Sequence, residues 1–464
     1  MELKAMVSLE EGLSALKNQG ARAVTTFLRF IESRVGGTFI FSADLFPFGK
    51  PELYKPFRIA EDLKKSGVLS HFYYYPTIPD EPKLIRYVTR TTDELIAGGT
   101  SLSSHLEATY PAIAEGLERF LWNSSTSYFK NPKVATQKDQ AHALPLEKLA
   151  GYPQERMSAL SETPLLWIDG YSHTQRRKVR VPASLVSAAH GRKVHKDKRE
   201  PVLRLPITTG LATAESKKEA LLKGALEVIE RDAFMIAWLN SLTLPRLPLK
   251  TYAKTNPQLH ALLTSFKRYN LIPHAVHLLT DAPVSVVCGV LADETGIGPA
   301  FTVGARAHED IKEAIYDSLE EALAVRLSAR KKMGERLPEV KEYMRDERII
   351  HWAKQEHKAD MRFFISGKET YIEEKTKRAR KLVWEDILSW CKEKKYECLS
   401  VPMTSAKENA SPWHVEYVLI PELQPLYLVE SLPALSGNRL SEIPKKFGYP
   451  AKQTITNLPP HPFP

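Results

Sequence analysis

The sequence predicts an α+β protein in which hairpins and antiparallel strands pack against long helices. Three observations predict it. Apolar residues recur at helical spacing over three long stretches. Two apolar runs interrupted by polar turns read as hairpins. No strand–glycine turn–helix unit of the G-x-G-x-x-G kind appears, and no G-x-x-x-x-G-K-[ST] loop, so a doubly wound parallel sheet and a P-loop are both excluded.

Taken in order, Leu9 to Val35 reads as helix, Ser42 to Lys55 as loop, and Leu84 to Val88 as a short strand with near alternation of apolar and charged residues. Gly98-Gly99-Thr100-Ser101 reads as a loop leading into a helix over His105–Trp122, whose apolar stripe is Leu106, Tyr110, Ile113, Leu117 and Phe120. Pro111 lacks an N–H, so the regular part of that helix is expected to begin near it. A second helix starts at Ser216, where Ser216 and Glu219 fit a capping box. Its inward residues are Leu222, Ala225, Leu226, Ile229 and Ala233. A third covers Asp310 to Lys332. Leu165–Gly170 with Val179–Val181, and Val284–Ala292 with Ala300–Ala305, are the two hairpins. Val415–Ile420 and Leu426–Val429 are late strands. Residues 1–83 form a heterogeneous N-terminal region, a candidate partner-docking segment, and residues 84–464 form the main domain.

Composition narrows the class. Hydrophobic residues make up 43% of the 464, enough for a folded core. No apolar run is long enough to span a bilayer, and Met1 to Arg22 lacks the continuous apolar core of a secretion signal, which predicts a cytoplasmic protein without a membrane partner. Three cysteines, none in a C-x-x-C pair, argue against a disulfide framework and against zinc. Cys288, inside an apolar run, reads as a buried structural thiol. The net charge of +10 favours anionic partners, but no nucleic-acid motif accompanies it. The densest basic run, Arg192 to Arg199, reads as a solvated loop.

Chemistry concentrates on the helices. Glu115-Gly116-Leu117-Glu118-Arg119 and Glu227-Val228-Ile229-Glu230-Arg231 repeat one pattern, and the third helix carries Glu321 and Arg326. Residues three apart share a helical face. Each pattern alone describes an ordinary solvated face. If the faces converge, the carboxylates repel one another and require cations. Mg²⁺ meets that need with hard oxygen ligands and bridges carboxylates to phosphates, while neighbouring arginines grip phosphate oxygens in a forked geometry.

The run Thr209–Ala214 followed by Glu219–Ala233 resembles the central signature of the YcaO family. Glu107 to Phe120 resembles its first signature, and Gly304–Ala307 with Glu313–Ile315 and Leu319–Arg326 its third. Trp167–Gly170, Val181–Ala183 and Val418–Leu423 fit as well. The resemblance runs in order from about Leu84 to the C-terminus. It implies a YcaO-type fold, ATP and Mg²⁺ as cofactors, and activation of a peptide amide oxygen by phosphorylation. It implies Glu115, Glu118, Glu227 and Glu230 as Mg²⁺ ligands, and Glu321, Arg231, Arg326 and Ser101 as nucleotide or phosphate contacts. Three positions depart from the family pattern: a lysine common between the glycines before the first helix is missing, Pro111 replaces a serine, and Ala324 replaces a glutamine.

The ending Pro460-His461-Pro462-Phe463-Pro464 resembles the PxPxP tail of azoline-forming members, in which the terminal carboxylate assists proton transfer. That implies a catalytic role for the Pro464 carboxylate. The same resemblance implies a precursor peptide as substrate, a leader-binding E1-like (ThiF-like) partner protein, a flavin dehydrogenase acting afterwards, and a homodimer.

Overall fold

The computed structural model describes residues 53–463, apart from 124–128, 130, 198–199, 334–344, 374–379, 404–411, 431 and 456–458. The helix expected at Leu9–Val35 and most of the loop expected at Ser42–Lys55 lie outside the described residues. Tyr54 and Lys55, the end of that loop, instead open a helix.

This helix, α1 (Tyr54–Lys65), buries Phe57, Ile59, Ala60 and Leu63. It leads into β1 (Leu69–Tyr75), β2 (Ile85–Thr91) and β3 (Ile96–Ser101), an antiparallel meander with order β1-β2-β3. Then follow α2 (His105–Asn123), β4 (Lys133–Ala135), the hairpin β5 (Leu165–Ser172) and β6 (Arg177–Pro182), and α3 (Ala188–Asp197). Next come β7 (Leu211–Ala214) and α4 (Lys217–Leu239). A second antiparallel sheet follows, made of β8 (Leu271–Leu278), β9 (Ser285–Asp293) and β10 (Phe301–His308), with β9 central. The chain continues through α5 (Ile311–Met333), α6 (Arg345–Ala353), α7 (Lys358–Ile365), α8 (Trp384–Lys394), β11 (Leu399–Pro402), β12 (His414–Leu419) and α9 (Arg439–Lys446). Strands β4, β5, β11, β12 and β7 form the third sheet in that order, with β6 on β5.

The fold is the α+β arrangement expected, and both hairpins form. Ser216 caps α4, its side chain accepting from the Glu219 N–H. From Ala233 to Leu239 every residue of α4 is buried, so this helix is the spine on which the surrounding elements pack. All three cysteines are buried and reduced. Among the described residues no helix is long and apolar enough to cross a membrane.

Four local expectations change. Gly98–Ser101 is not a loop but the end of β3, with Gly98 paired to Val88. The glycines are there for close approach: a Cβ on Gly99 would lie 2.2 Å from the Ala108 carbonyl and 2.4 Å from the Ala112 nitrogen of α2. The helix over 105–123 is continuous through Pro111, which lies on its exposed face, where solvent serves the carbonyl that lost a partner. Leu426–Val429 is not a strand; Pro425 precedes it, and its backbone serves the C-terminal tail instead. The basic run at Arg192 belongs to α3 as far as Asp197 and is helical rather than loop. Finally, β1 pairs with β2 across residue 83, and Glu81 makes a buried ion pair with Arg326 on α5. Residues 53–83 thus pack against the rest of the described chain.

Candidate active site

Three strand–helix units build the site. In each, a helix lies across a strand, and a backbone N–H within or just before that strand donates to a helix carboxylate. Gly98 N–H donates to Glu115 Oε2 at 2.9 Å. Gly210 N–H, just before β7, donates to Glu227 Oε2 at 3.0 Å. Ala305 N–H on β10 donates to Glu321 Oε2 at 2.9 Å. A fourth such bond runs from Ala307 N–H to Glu230 Oε2 at 3.1 Å. Charge-assisted bonds of this kind fix carboxylate direction as well as adding energy. Glycines let the helices come this near: at Gly304 an added Cβ would lie 2.6 Å from the Ala322 nitrogen and from the Glu321 Cβ.

The electrostatics show that the three faces converge. Burial first, then the charges of Glu115 and Glu227, pushes Glu118 up to about 8. Burial also raises Glu227, with Glu321 and Glu115 adding repulsion against the relief given by Arg231. Glu230 moves up for the same reason, with Glu321 and Glu227 against it and Arg231 and Arg306 for it. Glu320 reaches about 7 through burial and Asp317. The basic groups are Arg119, bound to Glu115 at 2.9 Å and 2.5 Å, Arg231, bound to Glu230 and 3.4 Å from Glu227, and Arg306. These do not neutralise the cleft, where Glu115, Glu118, Glu227, Glu230 and Glu321 outnumber the three arginines. A set of convergent carboxylate oxygens short of positive charge suits Mg²⁺, which takes hard oxygen donors and carries phosphate oxygens on its free positions. Glu115, Glu118, Glu227 and Glu230 lie in this cleft and could hold such a cation.

The tail ends beside this cleft. Pro460 to Phe463 are buried. Trp352 Nε1–H donates to the Pro460 carbonyl at 2.9 Å, and His461 Nε2–H donates to the Tyr427 carbonyl at 2.5 Å. Burial holds His461 neutral, well below its ordinary value. Phe463 packs edge-on to Phe234 of α4, 5.0 Å between centroids. Its other contact is with Arg231, whose guanidinium carbon lies 3.8 Å from the ring centroid. Arg231 therefore joins the carboxylates on one side to the tail on the other. Pro464 itself lies outside the described residues.

Two sequence-derived site residues stand apart from the convergence. Arg326 is 4% exposed. Its guanidinium is bound by Glu81 at 2.8 Å, Asp293 at 2.8 Å and the Pro299 carbonyl at 3.3 Å. Five residues along a helix amount to about 140° of rotation, so Arg326 faces away when Glu321 faces the cleft. The expected phosphate contact is an internal structural ion pair. Ser101 is 3% exposed; its hydroxyl donates to Glu107 and accepts from the Ser103 and Ser104 N–H groups. It organises the start of α2 rather than facing the carboxylates.

Arg306 was missed. Burial disfavours its charge, but Asp317, Glu230, Glu321 and Glu320 more than compensate. It pairs with Asp317 at 3.1 Å and remains half-exposed at 49%, which leaves part of the guanidinium for a ligand. A signal existed: Arg306 is the single charged side chain in the apolar stretch Phe301–Ala307.

Fold and site together define a class of protein that presents a carboxylate cluster, with arginines at its rim, to a cation-bound polyanion. The family model described as YcaO cyclodehydratase, ATP- and Mg²⁺-binding, matches residues 101–424; the chain belongs to the YcaO family. A solved heterocyclase in complex with substrate and cofactor superposes with a TM-score of 0.68 at 17% identity, covering 87% of this chain and 57% of that one. YcaO from Methanopyrus kandleri, bound with AMPPCP and Mg²⁺, gives 0.58 at 17% identity over 85% of this chain and 95% of that one. The E. coli microcin synthetase McbBCD complex gives 0.54 at 12% identity, covering 76% and 88%. An uncharacterized protein of Methanothermobacter thermautotrophicus is 29% identical over 163 residues, which is 34% of this chain and 40% of that relative. The match thus spans well under half the length of that relative.

Proposed function

We propose that this chain is an ATP-dependent cyclodehydratase that converts Cys, Ser or Thr of a ribosomal precursor peptide to thiazoline or oxazoline. The observation that carries the proposal is Arg231, which touches the carboxylate cluster on one side and Phe463 of the Pro-rich tail on the other. Family membership, and the AMPPCP and Mg²⁺ bound by the Methanopyrus relative, support the use of ATP.

In this reading, the peptide thiol or hydroxyl adds to the preceding amide carbon. Its proton passes to the Pro464 carboxylate, held by a stiff tail. The resulting hemiorthoamide oxygen would take the γ-phosphoryl group of ATP with ADP leaving, and its C–O bond would then break as the amide N–H proton is lost, releasing phosphate and leaving the C=N of the ring. Mg²⁺ supplies charge neutralisation at the phosphates. Arg231 and Arg306 fork phosphate oxygens; Glu115, Glu118, Glu227 and Glu230 hold the cation; Glu321 orients beside them. A leader-binding E1-like (ThiF-like) partner presents the peptide, and a flavin dehydrogenase oxidises azolines to azoles afterwards. The chain acts as a homodimer.

Replacing Glu230 with Gln removes a cation ligand while keeping its shape. ATP turnover in the presence of peptide and partner is expected to fall by about 10²–10³-fold. Undiminished product formation by this variant contradicts the assignment.

A further inference from the structure

Strand β2 carries a cation that the site described above leaves unused. Tyr75 on β1, Arg86 on β2 and Thr100 on β3 stand directly opposite one another, so their side chains share one face of the first sheet. Arg86 is half-buried, and its guanidinium carbon lies 5.3 Å from the Tyr75 ring centroid. Its side chain runs over Gly98: a Cβ added there would lie 3.7 Å from Arg86 Nε. Gly98 is the residue whose N–H donates to Glu115. From this placement we propose that Arg86 is a further nucleotide-binding residue, gripping phosphate oxygens of Mg²⁺-bound ATP from the first sheet's side of the carboxylate cleft. The proposal rests on the reading that this cleft takes ATP.

What this guanidinium lacks is an anion of its own. Among the described residues its recorded contact is the Tyr75 ring, with no ion pair. Glu115 is the carboxylate whose charge favours it. That carboxylate, however, already accepts from Arg119 at 2.9 Å and 2.5 Å and from the Gly98 N–H. Burial works against the Arg86 charge more than Tyr75 and Glu115 restore it, which leaves the group below its ordinary value. A half-buried cation without an anion is costly to hold. A phosphate removes that cost, because a guanidinium meets phosphate oxygens as a fork. The Tyr75 ring supports the planar group by its face and leaves the N–H edge to a ligand.

Two comparisons within the chain sharpen the assignment. The lysine common between the glycines before α2 is missing here, and Gly98 offers no side chain over β3. Arg86 brings a cation to that space from the neighbouring strand. Arg90 lies on the same strand and the same face, but it is exposed and paired with Glu94. An arginine on this strand thus finds a carboxylate where its role is to face solvent, and Arg86 does not.

The test uses the full-length chain and titrates ATP in excess Mg²⁺ by calorimetry, with melting temperatures recorded in the absence of nucleotide. Arg86→Ala is expected to raise the MgATP dissociation constant about tenfold or more. Arg86→Lys keeps the charge but loses the fork, and is expected to raise it about threefold. Arg90→Ala removes an equal charge from the same strand and is expected to bind MgATP as the wild type does. The nucleotide-free melting temperature of Arg86→Ala is expected to match the wild type, since no ion pair is lost. Unchanged MgATP affinity in Arg86→Ala, with or without a lower melting temperature, overturns the proposal while leaving the use of ATP intact. Equal losses in Arg86→Ala and Arg90→Ala overturn it in the same way. Failure of the wild type to bind MgATP overturns the reading of the cleft as well.

Discussion

Single residues decide what the cleft holds. Glu115, Glu118, Glu227 and Glu230 were legible because a three-residue spacing states a shared face without any tertiary information. Arg326 was misread because proximity in sequence to Glu321 hid a rotation of about 140°, and its true partners, Glu81 and Asp293, are far away in the chain. Two predictions separate the arginines. Arg326→Ala leaves buried Asp293 without its cation and Glu81 with Arg330 alone, and is expected to cost about 3–5 kcal/mol in denaturant unfolding, with ATP affinity of the folded fraction unchanged. Arg306→Ala is expected to leave stability within about 1 kcal/mol and raise the KM for ATP about tenfold. Exchange of these two outcomes contradicts the assignment. Glu118 sets a pH dependence. Its folded value lies near 8, above the ordinary carboxylate range, so the folded state keeps a proton that the unfolded chain has released. Its contribution to stability is therefore intact below about pH 4.5 and declines as pH rises toward 8. Without Mg²⁺, Glu118→Gln is expected to match the wild type at low pH and exceed it by about 1–3 kcal/mol at pH 8. Denaturant melts across that range check this, and parallel curves for the two proteins contradict it.

At the scale of elements, the device that recurs is a backbone N–H within or just before a strand donating to a carboxylate on the helix crossing it. It occurs at Gly98 to Glu115, Gly210 to Glu227 and Ala305 to Glu321. The helices and hairpins were legible from periodicity. The glycines of β3 were not: two adjacent glycines signal a turn locally, and only the packing of α2 on Gly99 shows why a strand needs them. Leu426–Val429 has the composition of a strand, but Gln424 N–H is taken by Asp232 at 2.7 Å, so the chain leaves the sheet before that run begins. Gly99→Ala is expected to push α2 outward, destabilising the protein by about 1–3 kcal/mol and weakening ATP binding through the displaced Glu115 and Glu118. A variant with unchanged melting temperature and ATP affinity counts against the helix–strand contact as the element that sets the site.

Over the whole molecule, three sheets bring together helices from residues 105, 217 and 311 onward, and a tail from residue 460 onward returns to the same place. The tail was legible only as a motif. Its seat, made by Trp352, Tyr427, and Phe234 and Arg231 of α4, comes from three distant segments and has no signature in any one of them. The central claim is that this tail and the carboxylate cleft form one catalytic unit acting on a peptide. The most direct test is mass spectrometry of a Cys-containing precursor peptide after incubation with ATP, Mg²⁺ and a leader-binding partner, comparing the full-length chain with one lacking Phe463 and Pro464. The account predicts loss of one water per ring with the full-length chain and no loss with the shortened one. Equal dehydration by both removes the tail from the mechanism, and ATP hydrolysis by the full-length chain with no change in peptide mass contradicts azoline formation itself.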